Sequence, residues 1–250
     1  MMPPHPPFPE TAVPRLRFHA HADEAALNGA VTDALVEAFA ADRAQDGAVL
    51  ALLSGGGTPV PVYRSLAARM TDWSGITLAL VDDRWVAPDD PGSNARMLHE
   101  TLQVGEPQAA RFWPLTQWGM APAAAVAQAN ARLAETLRSA RLGVVLLGMG
   151  DDGHTASLFP GSPGLAAALA ADAAYAALDA QGCPGAGAWP LRITLTPAGW
   201  KPARRRLLMM RGAHKRSVFE RAVREGDVRA LPVAAAVQVG DAPLEVHWCP

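Results

Sequence analysis

Cysteine is nearly missing from this chain. Only Cys183 and Cys249 occur, far apart and in unlike contexts. A disulfide framework or a structural zinc site needs several Cys or His at short, regular spacings, so neither is expected and the compartment reads as reducing. No apolar run approaches the roughly 20 residues that span a bilayer. The opening residues MMPPHPPFPE lack the cationic stretch followed by an apolar one that marks a secretory signal. Neither sign of charge is in excess, with a formal net charge of -2. There is thus no general pull toward nucleic acid or an anionic membrane. Repeats with a period of about 20–50 residues are absent, and so are heptads. These absences leave a cytoplasmic protein with no nucleic-acid or membrane partner, a monomer or weak dimer.

What remains is a chain of 250 residues, half of them hydrophobic, which suits one large core. Residues 1–14 are Pro-rich and read as an extended tail, with a single α/β domain over 15–250. Apolar positions at helical spacing (Leu27, Val31, Leu35, Phe39) predict a helix that Asp23 caps by accepting from a first-turn amide. Three continuous apolar runs read as buried strands: Ala48–Leu53, Ile76–Val81 and Leu142–Leu147. Helical patterns follow the first two at Val62–Met70 and from Ser93 or Asn94 to Leu102, Ala123–Arg138 reads as a further helix, and Ala213–Arg224 as one that follows the strand Arg206–Met210. Leu191–Thr196 alternates and reads as a half-buried strand with Arg192 pointing outward. Arg206–Met210 and Leu244–Trp248 complete the strands. Leu165–Pro190, dominated by Ala and Gly, carries little signal. Apolar strands alternating with amphipathic helices predict a mainly parallel, Rossmann-like sheet with helices on both faces.

In such sheets ligands bind beyond the carboxyl ends of the strands. The first run ends in Ser54-Gly55-Gly56-Gly57-Thr58, which opens a helix. Successive glycines let backbone N–H groups approach an anion, the helix terminus adds partial positive charge, and Ser54 and Thr58 supply hydroxyls. This suits a phosphate. It matches neither G-x-G-x-x-G nor a P-loop, so no nucleotide is implied. The second run ends in Asp82-Asp83-Arg84, whose acids can grip sugar hydroxyls and whose Arg84 can pair with phosphate. Taken alone, such a triplet is more often a solvated loop, and Ser93-Asn94 more often a helix cap. The third run ends in Gly148-Met149-Gly150-Asp151-Asp152-Gly153-His154. There Asp152 can orient the His154 ring and stabilise its imidazolium once a proton is taken. Arg192 and Lys215 are candidates to complete a cationic pocket, with surface charge as their commoner role. His5, His19 and His21 read as solvated near the N-terminus. His99, His214 and His247 have no His or Cys partner at ligand spacing, so no metal is expected. No G-x-S-x-G elbow surrounds Ser54 or Ser157. The tryptophans, including Trp73, Trp113 and Trp118, read as packing, with Trp85 of interest because it adjoins Arg84.

Together these segments resemble the 6-phosphogluconolactonase family, from about Ala20 to the C-terminus. The resemblance rests on Leu53–Pro59, Val81–Val86 with Ser93-Asn94, Gly148–Pro160, Arg192–Thr196 and Gly212–Lys215, in that order, with Gly148–Pro160 the most specific. It implies hydrolysis of 6-phospho-D-glucono-1,5-lactone without cofactor or metal, with His154 as the base that activates water. It also implies phosphate binding by the Ser54 turn, Arg84, Arg192 and Lys215. The family's second motif usually reads Asp-Glu-Arg, and here Asp83 holds the glutamate's place with a shorter carboxylate. Asp152, Asp82 and Asp83 all stand as candidates to orient His154. The sequence also resembles amino-sugar-phosphate deaminase/isomerases in its Asp-Gly-His turn. In that family a glutamate follows, in a stretch ending Asn-Glu-Pro, whereas here Leu158-Phe159-Pro160 does. A non-catalytic sugar-phosphate sensor is a further alternative, but the N-terminal segment is too short and Pro-rich for a helix-turn-helix.

Overall fold

The computed structural model describes residues 15–102, 110–117 and 119–250. The tail 1–14, His5 and Trp118 lie outside the described residues. In chain order the elements are β1 (Leu16–Ala20), α1 (Glu24–Asp46), β2 (Val49–Leu53), α2 (Val60–Arg69), β3 (Ile76–Leu80), β4 (Asp82–Arg84), α3 (Asn94–Leu102), β5 (Arg111–Trp113) and α4 (Pro122–Thr136). They continue with β6 (Val144–Gly148), α5 (Leu165–Leu169), β7 (Tyr175–Asp179), β8 (Leu191–Leu195), α6 (Pro197–Trp200), β9 (Arg205–Arg211), α7 (Ala213–Glu225), α8 (Val233–Gln238) and β10 (Leu244–Cys249).

Seven strands form one parallel sheet in the order β1-β10-β9-β6-β2-β3-β5. The interior strand β2 is buried along its whole length, as its unbroken apolar run requires of a strand covered on both faces. Alternation along β1 and β10 sends Phe18 and Trp248 to one face, where the Arg216 guanidinium lies over both rings and Phe219 packs on Phe18. Arg205 reaches the Ala34 carbonyl and Glu37 of α1 on the opposite face. Helices therefore cover both faces, as expected. Helix α1 starts where Asp23 Oδ1 accepts from Ala26 N at 2.8 Å and stops at Gly47, whose φ of 68° suits glycine. No helix among the described residues is long and apolar enough to cross a membrane. Cys183 and Cys249 are free thiols.

Several expectations need correction. The run Ile76–Val81 and the following acids do not form one strand with a loop. The chain passes from β3 to β4, which belongs to a separate antiparallel sheet of order β4-β8-β7. Val81 is the single residue between them. Its N–H donates to Leu53 O in the parallel sheet (2.9 Å), and its carbonyl accepts from Leu195 N in the small one (2.7 Å). Strand β8 is not half-buried, since every residue after Leu191 is buried. Arg192 is only 5% exposed, so it does not point to solvent. His21 is not simply solvated either. Its Nε2 lies 3.1 Å from His247 Nδ1, because the parallel register of β1 with β10 sets His19 opposite His247.

Candidate active site

The carboxyl ends of β2, β3 and β6 converge on one crevice of about 290 Å³ between the two sheets. Ser54, Gly55, Gly56, Thr58, Asp82, Arg84, Asn94, His154, Arg192 and Lys215 all line it. Strand ends are held in place by the only two tyrosines of the chain: Tyr63 Oη donates to Ser54 O and Tyr175 Oη to Leu80 O, each at 2.7 Å.

The Ser54 turn has the build of an anion cradle. Gly56 has φ 85°, a conformation that glycine adopts without steric cost, and α2 begins just after Pro59 with no side-chain cap on its first turn. Gly55 has no room for a side chain, because a Cβ would stand 2.0 Å from the Asn94 carboxamide. Asn94 in turn donates through Nδ2 to Asp82 O at 2.8 Å and so fixes β4 against the cradle.

The His154 turn closes on itself through Gly150 N to His154 O (2.9 Å) and Gly153 N to Gly150 O (3.1 Å). Asp152 Oδ1 lies 2.6 Å from His154 Nδ1 and accepts from His154 N at 3.1 Å. Of the three candidate carboxylates, Asp152 is therefore the one that holds the ring. Burial opposes ionisation of Asp152. Hydrogen bonds from the His154 ring and amide, with the ring's charge, outweigh it and hold the carboxyl below its usual range. Nδ1–H facing a carboxylate leaves Nε2 as the acceptor nitrogen. The side chains are 21% and 27% exposed, enough for water to reach the pair. Two glycines pack on it: a Cβ at Gly150 would lie 2.2 Å from the imidazole, and one at Gly185 would lie 2.6 Å from Asp152 Oδ2. Phe159 covers the ring with centroids 4.3 Å apart.

The small sheet supplies cations. Arg84 Nη1 donates to Gly92 O at 2.6 Å, the guanidinium lies over Trp189, and Nε is buried without a hydrogen-bond partner. Trp189, not Trp85, is thus the aromatic that Arg84 stacks on. Arg192 is tied to backbone carbonyls, Nε to Trp189 O (2.7 Å) and Nη2 to Ala186 O (2.8 Å). Burial lowers its pKa, with nearby Asp82 pulling the other way. Lys215 donates to Met149 O at 2.7 Å, at the start of α7. Asp82 is engaged by Ser157 Oγ at 2.5 Å and lies 3.8 Å from Arg192. Asp83 does not line the crevice. It is wholly buried, and its carboxylate accepts from Arg84 N, Asn94 N, Ala95 N and Ser93 Oγ. A carboxylate so committed anchors the start of α3 and leaves no lone pair aimed at a sugar. Burial pushes its pKa up to about 6, and the amides act against that rise.

Sequence reasoning missed Gly185, Trp189 and Ala156, gave Ser157 no role, and noted Phe159 only as standing where the isomerases carry a glutamate. Ala156 lines the crevice with φ 51°, the one non-glycine left-handed residue among those described. Backbone held in that region stores strain and concentrates at functional sites. Nothing in the composition of Cys183-Pro184-Gly185-Ala186-Gly187 marks it as a wall of the site. Ser157 was visible only as a serine lacking a nucleophile elbow.

A Gly-rich turn, three cationic side chains and a carboxylate-held imidazole share one crevice, an arrangement able to serve acid–base chemistry on a small anionic molecule. Comparison with known proteins agrees. Residues 22–248 match the family model described as glucosamine-6-phosphate isomerases/6-phosphogluconolactonase. A 6-phosphogluconolactonase of Xylella fastidiosa is 45% identical over 88% of this chain and 90% of its own length. One of Rhizobium meliloti is 36% identical over 93% and 98%. The crystal structure of a 6-phosphogluconolactonase from Shewanella baltica superposes with a TM-score of 0.83 at 30% identity, covering 96% of this chain and all of that one. The chain belongs to the glucosamine-6-phosphate isomerase/6-phosphogluconolactonase family.

Proposed function

We propose that this chain hydrolyses 6-phospho-D-glucono-1,5-lactone to 6-phospho-D-gluconate, the second step of the oxidative pentose phosphate pathway, with residues 15–250 acting as one catalytic unit in the cytoplasm. The observation that carries the reading is the shared crevice of the Ser54 cradle and the His154–Asp152 pair. The phosphate sits on the amides and hydroxyls of the Ser54 turn, with Arg84 and Lys215 beside it, and this anchorage sets the lactone carbonyl near His154. Neutral His154 takes a proton from water through Nε2 while Asp152 stabilises the imidazolium. The water oxygen bonds to the carbonyl carbon, whose π electrons move onto the carbonyl oxygen. When they return, the bond to the ring oxygen breaks, and His154 delivers its proton to that oxygen. Charge on the carbonyl oxygen is met by backbone amides or a cation.

The family also contains isomerases, and Phe159 favours the lactonase reading. Moving a proton between carbons of an opened sugar calls for a second proton-carrying group beside the histidine, and the ring against His154 is a phenyl. The test is hydrolysis of freshly made lactone, coupled to oxidation of the product and corrected for spontaneous hydrolysis, with glucosamine 6-phosphate in parallel. Enzymatic turnover of the lactone alone is expected. Release of ammonia from the amino sugar without lactone turnover would overturn the assignment.

A further inference from the structure

A second group of imidazoles lies at the edge of the parallel sheet, and none of its members lines the crevice. The register of β1 with β10 pairs His19 with His247 and Arg17 with Glu245. Residues two apart on a strand share a face, so His19, His21, Glu245 and His247 project together. One ligand atom from each of His19, Glu245 and His247 lies within 4.8 Å of the others. Two ligands about 2.0–2.1 Å from a tetrahedral ion stand about 3.3 Å apart, so small side-chain rotations close the set.

Two observations point to a ligand. His247 is 5% exposed, and its Nε2 is buried with no hydrogen-bond partner, while its Nδ1 is held by His21 at 3.1 Å. Metal-ligating histidines are oriented in this way, one nitrogen fixed by a neighbour and the other open. Glu245 is likewise braced, accepting from Arg205 Nε (3.0 Å) and Nη2 (2.9 Å), and ligating carboxylates are commonly hydrogen-bonded from behind.

We propose that His19, Glu245 and His247 bind one divalent ion of the zinc class, with His21 and Arg205 as positioning residues. Two imidazoles and a carboxylate suit zinc, nickel or copper and not magnesium or calcium, which take oxygen donors. His19 is exposed, which leaves the remaining coordination to water. Arg205 lies beside the ion, and its positive charge sets the affinity below that of a four-ligand structural site. An ion here ties the edge strand β1 to β10 and stabilises the folded chain by mass action.

The experiment titrates the untagged, chelator-stripped full chain with zinc chloride alone, by calorimetry and by thermal unfolding. One ion per chain and a raised Tm are expected. His19→Ala, on an exposed side chain, should keep the metal-free Tm and lose at least tenfold in affinity. His21→Ala should lose about 10–100-fold. His154→Ala should bind zinc as the parent does. Absence of binding up to millimolar zinc, binding unchanged in His19→Ala, or binding abolished by His154→Ala would each overturn the proposal, the last by locating the ion in the crevice.

Discussion

The floor and the wall of the crevice are built by different means. The floor is the carboxyl edge of the parallel sheet, where Gly-rich turns after β2 and β6 present amides, hydroxyls and His154 directly. The wall is the small sheet and its loops, where Arg84 and Arg192 are held by carbonyls of Gly92, Ala186 and Trp189. On the proposed reading the base and the phosphate cradle both sit on the parallel sheet, and the smaller sheet adds arginines beside them. Changes to His154 on the floor should strike turnover, and changes to the arginines of the wall should strike binding.

The largest effect is expected on the floor. His154→Gln removes the base and should lower kcat by about 10²–10⁴-fold with a modest change in KM. Wild-type turnover in that variant would end the assignment of His154. On the wall, Arg84→Ala should raise KM for the phosphorylated lactone roughly 10–100-fold, the scale of a charged hydrogen bond, with kcat less affected. An equal loss on an unphosphorylated lactone would show that Arg84 does not read the phosphate.

Asp83 tests the joint between the two regions through pH. Burial raises its folded pKa to about 6. Between about pH 4 and 6 the folded chain therefore holds this proton more tightly than the unfolded chain. Its contribution to stability is full below that window and falls as pH rises through it. Asp83→Asn cannot titrate and should flatten this part of the stability profile, measured by urea unfolding across the window. It should also cost about 1–3 kcal/mol by leaving an α3 amide unpaired. A profile with the parent's slope would show that Asp83 is not the titrating group. The smallest effect belongs to Trp189→Ala, which removes the ring under Arg84 and should raise KM roughly two- to fivefold. A larger drop in kcat than in affinity would blur the division between floor and wall.

This division also governs what the sequence disclosed. The buried strands β2, β3 and β6 are continuous apolar runs, and their Gly-rich ends carry motifs that stand out without any alignment. Ten of the twelve expected site residues do line the crevice, Asp152 stands behind His154, and Asp83 is withdrawn beneath β4. The wall was poorly legible. Strand β4 has only three residues, and β7 lies in an Ala-Gly stretch whose contribution is made by main-chain carbonyls and by the lack of a side chain at Gly185. The alternation of Leu191–Thr196 was real. Its polar side faces Ser157 and the crevice and not water, since Thr194 Oγ1 accepts from Ser157 N. Period-two patterning reports two unlike faces without saying what either one meets. The cluster at His19 and His247 was invisible for a related reason, because strands at opposite ends of the chain meet only through the sheet order.

Val81 has a mechanical consequence. A swinging jaw needs a few residues whose torsions can change without breaking bonds on either side. At the junction of floor and wall there is one residue, and its amide and carbonyl are tied to different sheets. Only the two torsions of Val81 separate these ties, so along this path the sheets can turn a little about one residue but cannot draw apart without breaking a tie. Wide opening is thereby limited at this corner, and finer adaptation to an incoming molecule falls to rim side chains such as the exposed Trp189.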